Sequence, residues 1–250
     1  MLDTRQALGA LARQPPRLRA GPARRVLVVG AGGALGAAVM AQLLATRDFE
    51  RVGALVDQAI TPALAGFVAV PAPEVAAFGA DTALVVFDRQ RHAHGREAAF
   101  SRPEPAALPA LAQRLHGAGA RRLIVVVPHA PSLLPMALQQ GLASLDEAAV
   151  AALGFEQLVF MRMAQDRRAA ERLPAAQRLA RWMLSQLRWM IPQSEQPVRA
   201  TTVAKVAAAL AQQLAQARHA TRVVPAALLW QAAQGGDVGT LVAGWLEGVA

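Results

Sequence analysis

The stretch RVLVVGAGGALGAAVMAQLLA, residues 25–45, is compatible with two different structures, and the choice between them decides the fold. After its first residue the only polar side chain is Gln42, so the run is long enough to cross a bilayer as one helix. Gly32 and Gly36 even have the GxxxG spacing of paired membrane helices. The same letters also predict a buried strand, a glycine turn and an apolar helix, as at the start of a dinucleotide-binding unit.

The composition of the rest of the chain favours the strand, turn and helix. At 250 residues the chain can bury a large core. Its other apolar runs, such as TALVVF and RLIVVV, are short, which is typical of buried strands in a parallel sheet. The chain has no cysteine, which excludes disulfides and thiolate catalysis and is compatible with the cytoplasm, where we expect the protein.

The net charge of +9 is carried by arginine, since Lys205 is the single lysine among 26 basic residues. This bias is typical of a GC-rich coding sequence, and a positive surface attracts anions. We expect no specific nucleic-acid binding, because the chain has no tyrosine for base stacking and its tryptophans lie in apolar helical stripes. Residues 1–23 predict a basic lead-in, followed by a single domain at 24–250.

Candidate strands alternate with helix-length segments along most of the chain. Thr201 or Thr202 predicts the N-cap of a helix that runs through Gln216, and an amphipathic helix is predicted at residues 174–191. The βαβα order predicts an α/β fold, with a doubly wound, mostly parallel sheet and helices on both faces. The predicted strands are residues 25–29, 52–56, 67–70, 82–87, 121–127, 157–161 and, for a short final strand, 222–225.

The glycines fit one register of a phosphate-binding turn. A G-x-G-x-x-G pattern from Gly30 fails at Leu35, whereas Gly30-x-x-Gly33-x-x-Gly36 fits. These glycines would allow the tight turn, the approach of a pyrophosphate to the backbone, and close packing of the helix on the sheet. Asp57 ends the next strand, where a carboxylate accepts hydrogen bonds from the adenosine ribose and repels a 2′-phosphate, which favours NAD over NADP. The predicted cofactor-binding residues are Gly30, Gly32, Gly33, Ala34, Leu35, Gly36 and Asp57.

Five motifs follow one another along the chain: VLVVGAGGALG, TALVVFD, GARRLIVVVPHA, LDEAAVAALGFEQLVFMR and PVRATTVAKVAAAL. In this order they resemble the atypical short-chain dehydrogenase/reductase family, in its NAD(P)H-binding branch similar to the Tat-interacting oxidoreductase-like protein. The resemblance covers roughly residues 24 to 230. It implies one Rossmann-type domain of about seven strands, with NAD or NADP across the C-terminal strand ends and a substrate beneath the C-terminal helices.

The chain departs from this family at the catalytic dyad. Members that reduce carbonyls use a Tyr-x-x-x-Lys pair, in which the lysine lowers the tyrosine pKa so that the phenol exchanges a proton with the substrate. The resemblance places Gln139 and Ala143 at these two positions, and the whole chain contains no tyrosine. The dyad is therefore missing, and no catalytic residue is assigned from the sequence.

Histidines and arginines supply the remaining candidates. His129 follows the fifth strand, where it can donate a proton or bind an anion, although a hydrogen-bonded loop histidine is the simpler interpretation. The stretch RQRHAHGRE, residues 89–97, holds two histidines and a glutamate without an evident third ligand, so we expect a solvated basic loop and no metal site. The alternative hypothesis for this loop is that Arg89 and Arg91 contact a cofactor phosphate or an anionic ligand.

Three functions remain open at this point. The first is a catalytically degenerate dinucleotide-binding protein, which senses or is stabilised by NAD(P) and acts through a protein partner or as a homo-oligomer. The second is an NAD(P)H-dependent reductase of flavin- or quinone-like acceptors, for which a tyrosine acid is less necessary because the product anion is already stable. The third is a scaffold that inherited the fold and binds no nucleotide.

Overall fold

One parallel sheet organises the chain. The computed structural model describes residues 24–60, 65–88, 95–129, 145–164, 199–218 and 220–248. The strands are β1 (Arg25–Val29), β2 (Arg51–Val56), β3 (Phe67–Pro71), β4 (Thr82–Val86), β5 (Arg122–His129), β6 (Gln157–Ala164) and β7 (Ala220–Val224). They form a seven-stranded sheet in the order β3-β2-β1-β4-β5-β6-β7, and every neighbouring pair is parallel.

Helices cover both faces of this sheet. Those of the described residues are α1 (Ala34–Thr46), α2 (Val75–Phe78), α3 (Leu108–Gly117), α4 (Leu145–Ala151), α5 (Ala200–Gln213), α6 (Ala226–Ala233) and α7 (Val238–Glu247). Side chains of α1, α5, α6 and α7 share one buried cluster with one face of the sheet. Side chains of α2, α3 and α4 share a second cluster with the other face. The predicted α/β, doubly wound architecture is therefore confirmed.

The pleat of β1 explains why its sequence is apolar without interruption. Successive side chains of a strand point to opposite faces. Val26 and Val28 belong to the cluster beneath α1, whereas Leu27 and Val29 belong to the cluster on the opposite face, and all four are at most 1% exposed. A strand that is covered on both sides has no polar face, which is typical of a parallel sheet.

The stretch from residue 26 to 45 is therefore not one membrane helix. Its first part pairs with β2 and β4 as a strand, and the helix begins only at Ala34. Within the described ranges, no helix is both long and apolar enough to span a bilayer.

The predicted strands are all present, and β5 and β6 continue well past their expected ends. β5 and β6 pair in register over eight positions, from Arg122 opposite Gln157 to His129 opposite Ala164. The backbone ladder thus continues beyond the apolar runs that predicted ends at 127 and 161. The predicted helix at 174–191 and the lead-in at 1–23 lie outside the described residues.

The prediction of a threonine N-cap for α5 is wrong. The helix begins at Ala200, and Arg199 is its N-cap residue. The carbonyl of Arg199 accepts hydrogen bonds from the N–H groups of Thr202 and Val203, at 2.9 and 3.2 Å, so both threonines already lie in the first turn. The far end agrees with the prediction, because a 3₁₀ turn continues α5 as far as Gln216.

We expect Gly36→Ala to lower the free energy of unfolding by about 1–3 kcal/mol. A Cβ at Gly36 would lie 2.8 Å from the Cα of Ala31 and closer still to the carbonyl oxygen of Gly30, both of which are backbone atoms. Gly244→Ala in α7 is the matched control, since nothing lies within 4 Å of its Cβ position, and it should stabilise the helix by about 0.5–1 kcal/mol. Urea unfolding measures both, and equal effects would contradict the close contact.

Candidate functional site

The candidate site lies where the order of the strands reverses. β1 has β2 on one side and β4 on the other, so the chain leaves β1 in one direction and later returns to its opposite side. Sheets of this kind bind ligands beyond the carboxyl ends of the strands at such a point. The residues that reach this edge from β1, β2 and β4 are the turn that begins at Gly30, then Asp57, and then Asp88.

Two glycines, Gly30 in the turn and Gly36 in the first turn of α1, are required by the fold itself. Gly30 has a φ of +89°, and a Cβ there would overlap the carbonyl oxygen of Val86 in β4. A Cβ at Gly36 would overlap the backbone of the same turn. The turn is thus pressed against β4 on one side and against the first turn of α1 on the other.

The N-terminus of α1 opens at Gly33, its N-cap residue. The first N–H groups of a helix have no partner within the helix, and together with the helix dipole they favour an anion. The side chain of Ala34 is exposed, so this end of the helix faces the edge of the sheet and not the core. The helix end thus lies where the glycine pattern predicts an anion site.

The anion at this position is a side chain of the protein. The N–H of Leu35 donates a hydrogen bond to Oδ2 of Asp88, at 2.9 Å. The approach is so close that a Cβ at Gly33 would overlap the carboxylate of Asp88. Asp88 is exposed, and a carboxylate at a helix N-terminus contributes about 0.3–1 kcal/mol to stability. The space against Gly33 is therefore filled by Asp88.

A second part of the chain lies over the end of β2. We call residues 97–103 the covering segment. The carbonyl of Ala99 accepts hydrogen bonds from the N–H groups of Asp57 and Gln58, at 2.8 and 3.3 Å, and the N–H of Ser101 donates to the carbonyl of Leu55 at 3.0 Å. An antiparallel bridge joins Val56 to Phe100, which lies between Ala99 and Ser101.

The covering segment also buries the glycine turn. A Cβ at Gly32 would lie 2.7 Å from the carbonyl oxygen of Glu97 and 3.1 Å from Cβ of Phe100. Farther along, Cδ of Pro103 is 3.4 Å from the Cβ position of Gly30. The ring of Phe100 packs against Phe67, with 6.5 Å between their centroids. Gly32 is accordingly a buried residue.

The structure brings all seven predicted cofactor-binding residues to one edge of the sheet. The turn, the start of α1 and Asp57 meet at the C-terminal edge of β1 and β2, and the side chain of Asp57 is exposed there. His129 lies at the same edge of the sheet as the last residue of β5, so the expectation of a loop histidine is wrong: its backbone continues the pairing with β6. Residues 89–94, Gln139 and Ala143 lie outside the described residues.

Asp88 and the covering segment are the features that sequence reasoning missed. Asp88 follows the apolar run TALVVF directly, so its position after β4 was visible in the sequence. The contact between Asp88 and Leu35 is not visible in the sequence, because it joins residues 53 positions apart. At Glu97 it is the backbone carbonyl that approaches Gly32. No group of three metal-binding side chains occurs within the described parts of the chain.

A cavity of about 320 Å³ lies elsewhere, on the sheet face that carries α2 and α3. Its walls are mostly carbon side chains, including Leu55, Val75 and Leu111, with Arg114 among them. It lacks the converging polar groups that fix the orientation of a ligand in most binding pockets. We therefore place the candidate site at the glycine turn.

No model of a known protein family matches the chain, and no curated protein sequence matches it significantly. Solved structures do match. A Rossmann-fold NAD(P)-binding family protein from Shigella flexneri is 13% identical, with a TM-score of 0.46 over 80% of this chain and 92% of its own. An oxidoreductase of the short-chain dehydrogenase/reductase family from Burkholderia thailandensis is 17% identical, with a TM-score of 0.43 over 90% and 94%.

Triphenylmethane reductase from Citrobacter sp., solved with NADP(H), is 14% identical, with a TM-score of 0.44 over 80% of this chain and 68% of its own. At these identities the likeness concerns the fold alone. The assignment of a Rossmann-type α/β fold rests on the parallel sheet and its strand order.

Proposed function

We propose that this protein binds a nicotinamide dinucleotide without catalysing carbonyl reduction, and that it acts as a cofactor sensor through a protein partner or as a homo-oligomer. The observation that carries the proposal is the turn before α1, which presents the N-terminus of a helix at the point where the strand order reverses. Backbone N–H groups at such a helix end bind phosphates in many unrelated proteins.

The groups at this edge fit a dinucleotide in their chemistry. The N–H groups of Ala34 and Leu35 would hold the pyrophosphate once Asp88 has moved, and the absence of a side chain at Gly33 would let it approach the backbone. The exposed carboxylate of Asp57 would accept hydrogen bonds from the adenosine ribose. A bound nicotinamide ring would supply or accept a hydride.

The acid that should accompany hydride transfer to a carbonyl is missing from the sequence. General acid catalysis contributes about 10²–10⁴-fold to such a reaction. The chain has no tyrosine, and its single lysine, Lys205, is exposed on α5. Binding without turnover is the function that this combination supports, and a reductase of flavin- or quinone-like acceptors is the alternative.

Dinucleotide binding is tested with Ala34→Pro. Proline is favoured at the first position of a helix, and the extended backbone of Gly33 is compatible with a following proline, so the fold should be kept. The variant lacks one N–H group of the proposed pyrophosphate site, so we expect NADH affinity to fall by about tenfold or more in a fluorescence titration.

Ala226→Pro is the matched control for this experiment. It introduces proline at the first position of α6, after an extended residue, and should leave NADH binding unchanged. Absence of NAD(H) and NADP(H) binding at millimolar concentration, both in the wild type and in a variant with Asp88 replaced by Ala, would contradict the proposal.

Cofactor preference is tested at Asp57. The wild type should bind NAD about tenfold or more tightly than NADP, because the Asp57 carboxylate would repel a 2′-phosphate. Asp57→Ala should weaken NAD binding, strengthen NADP binding and bring the two affinities close together. Calorimetry with both nucleotides measures the ratio. An equal affinity of the wild type for both would show that Asp57 does not face the ribose.

Carbonyl reduction should be negligible with simple ketones and aldehydes. The proton donor of the related reductases is missing, and we expect His129→Ala to change nothing in a steady-state assay of NADH and NADPH oxidation. Robust reduction that His129→Ala abolishes would instead make His129 the acid. Turnover with flavins or quinones alone would favour the alternative reductase.

A further inference from the structure

We propose that the chain closes its own dinucleotide cleft. In the closed form Asp88 occupies the place of the pyrophosphate, the covering segment lies over the place of the adenosine, and a dinucleotide binds only by displacing both. This inference rests on the proposed function and adds an autoinhibitory contact to it. Two separate observations carry it, one at each end of the site.

The first observation is the carboxylate at the start of α1. Asp88 already accepts the hydrogen bond from the N–H of Leu35, and it fills the space against Gly33 through which a pyrophosphate would reach the backbone. A pyrophosphate is also an anion, so it would be repelled by the Asp88 carboxylate at contact distance. The two groups would also compete for the N–H of Leu35. Dinucleotide binding therefore requires the side chain of Asp88 to leave.

The second observation is the burial of Gly32. The carbonyl of Glu97 and the side chain of Phe100 lie directly on it, and the carbonyl of Ala99 is hydrogen-bonded to the backbone of Asp57. Asp57 is the residue that would bind the adenosine ribose. A nucleoside that reached Asp57 across Gly32 would occupy the volume that the covering segment now fills.

The closed form is held by exposed and by buried residues. Asp88 and three residues of the covering segment, Glu97, Ala98 and Arg102, are exposed, whereas Ala99 is buried and Phe100 is half-buried. Displacement of the segment would separate Phe100 from Phe67 and uncover an aromatic side chain. The closed form thereby couples occupancy of the cleft to exposure of an apolar surface, which a sensor needs in order to signal to a partner.

The experiment compares NADH binding by the wild type, Asp88→Asn and Asp88→Ala. The asparagine variant keeps the shape of the side chain and an acceptor for the N–H of Leu35, whereas the alanine variant empties the space. We expect both variants to bind NADH at least tenfold more tightly than the wild type. Asp48→Asn is the control, because it removes the same charge beyond the other end of α1, about 20 Å away.

The possible outcomes separate this inference from the proposed function. Self-closure is supported if both Asp88 variants bind NADH more tightly and Asp48→Asn binds it like the wild type. It is also supported if only the Asp88 variants bind NADH. Equal affinity of all four proteins overturns self-closure and leaves the proposed function intact, and weaker binding in the Asp88 variants overturns it by making Asp88 a ligand contact. No binding by any of them overturns the proposed function, and self-closure falls with it.

Hydrogen exchange tests the covering segment independently. Saturating NADH should accelerate amide exchange at Asp57, Gln58 and Ser101, because their hydrogen bonds to or from the covering segment would break. Asp88→Ala provides the same measurement if the wild type binds too weakly to saturate. Slower or unchanged exchange at these three amides would mean that the segment stays in place, and would overturn its part in the closure.

Discussion

The close packing of β1, β4 and α1 at Gly30 is the constraint on which the rest of the site depends. A side chain at Gly30 would overlap the carbonyl oxygen of Val86, and one at Gly36 would overlap the turn. The end of β4 is therefore held against the turn, so the residue two positions after Val86 emerges beside the start of α1. Asp88 is that residue, and its bond to the N–H of Leu35 follows from the same crowding.

The glycine pattern consequently has two separate meanings. Gly30 and Gly36 are explained by packing between elements of the protein, whether or not a ligand ever binds. Gly32 and Gly33 are the positions that a ligand would use, and there the approaching atoms belong to Glu97, Phe100 and Asp88 of the same chain. A retained pattern of this kind is thus strong evidence for the fold and weaker evidence for an occupied site.

The strands could be predicted from the sequence because burial on both faces makes them continuous apolar runs, as in β1. The turn could be predicted because its register depends on three glycines that lie close together in the sequence. The contact of Asp88 with Leu35 could not be predicted from the sequence. The glycine spacing shows that the helix end favours an anion, but it does not show which anion binds there. The start of α5 was missed for a similar reason: backbone bonds to the carbonyl of Arg199 begin the helix, without a capping side chain.

The proposed closure of the cleft and the absence of tyrosine from the sequence favour the same kind of function. A reductase that uses NADH as a co-substrate binds and releases it in every cycle, and its apparent affinity for NADH is lowered by the fraction of molecules that are closed. With about 1% of the molecules open, a cofactor with an intrinsic Kd of about 10 μM would bind with an apparent Kd of about 1 mM. For a reductase this loss of affinity only limits turnover. For a sensor it sets the cofactor concentration at which the protein responds. In the proposed closed form Asp88 and the covering segment occupy the site, so a partner that binds the displaced Phe100 would shift that threshold.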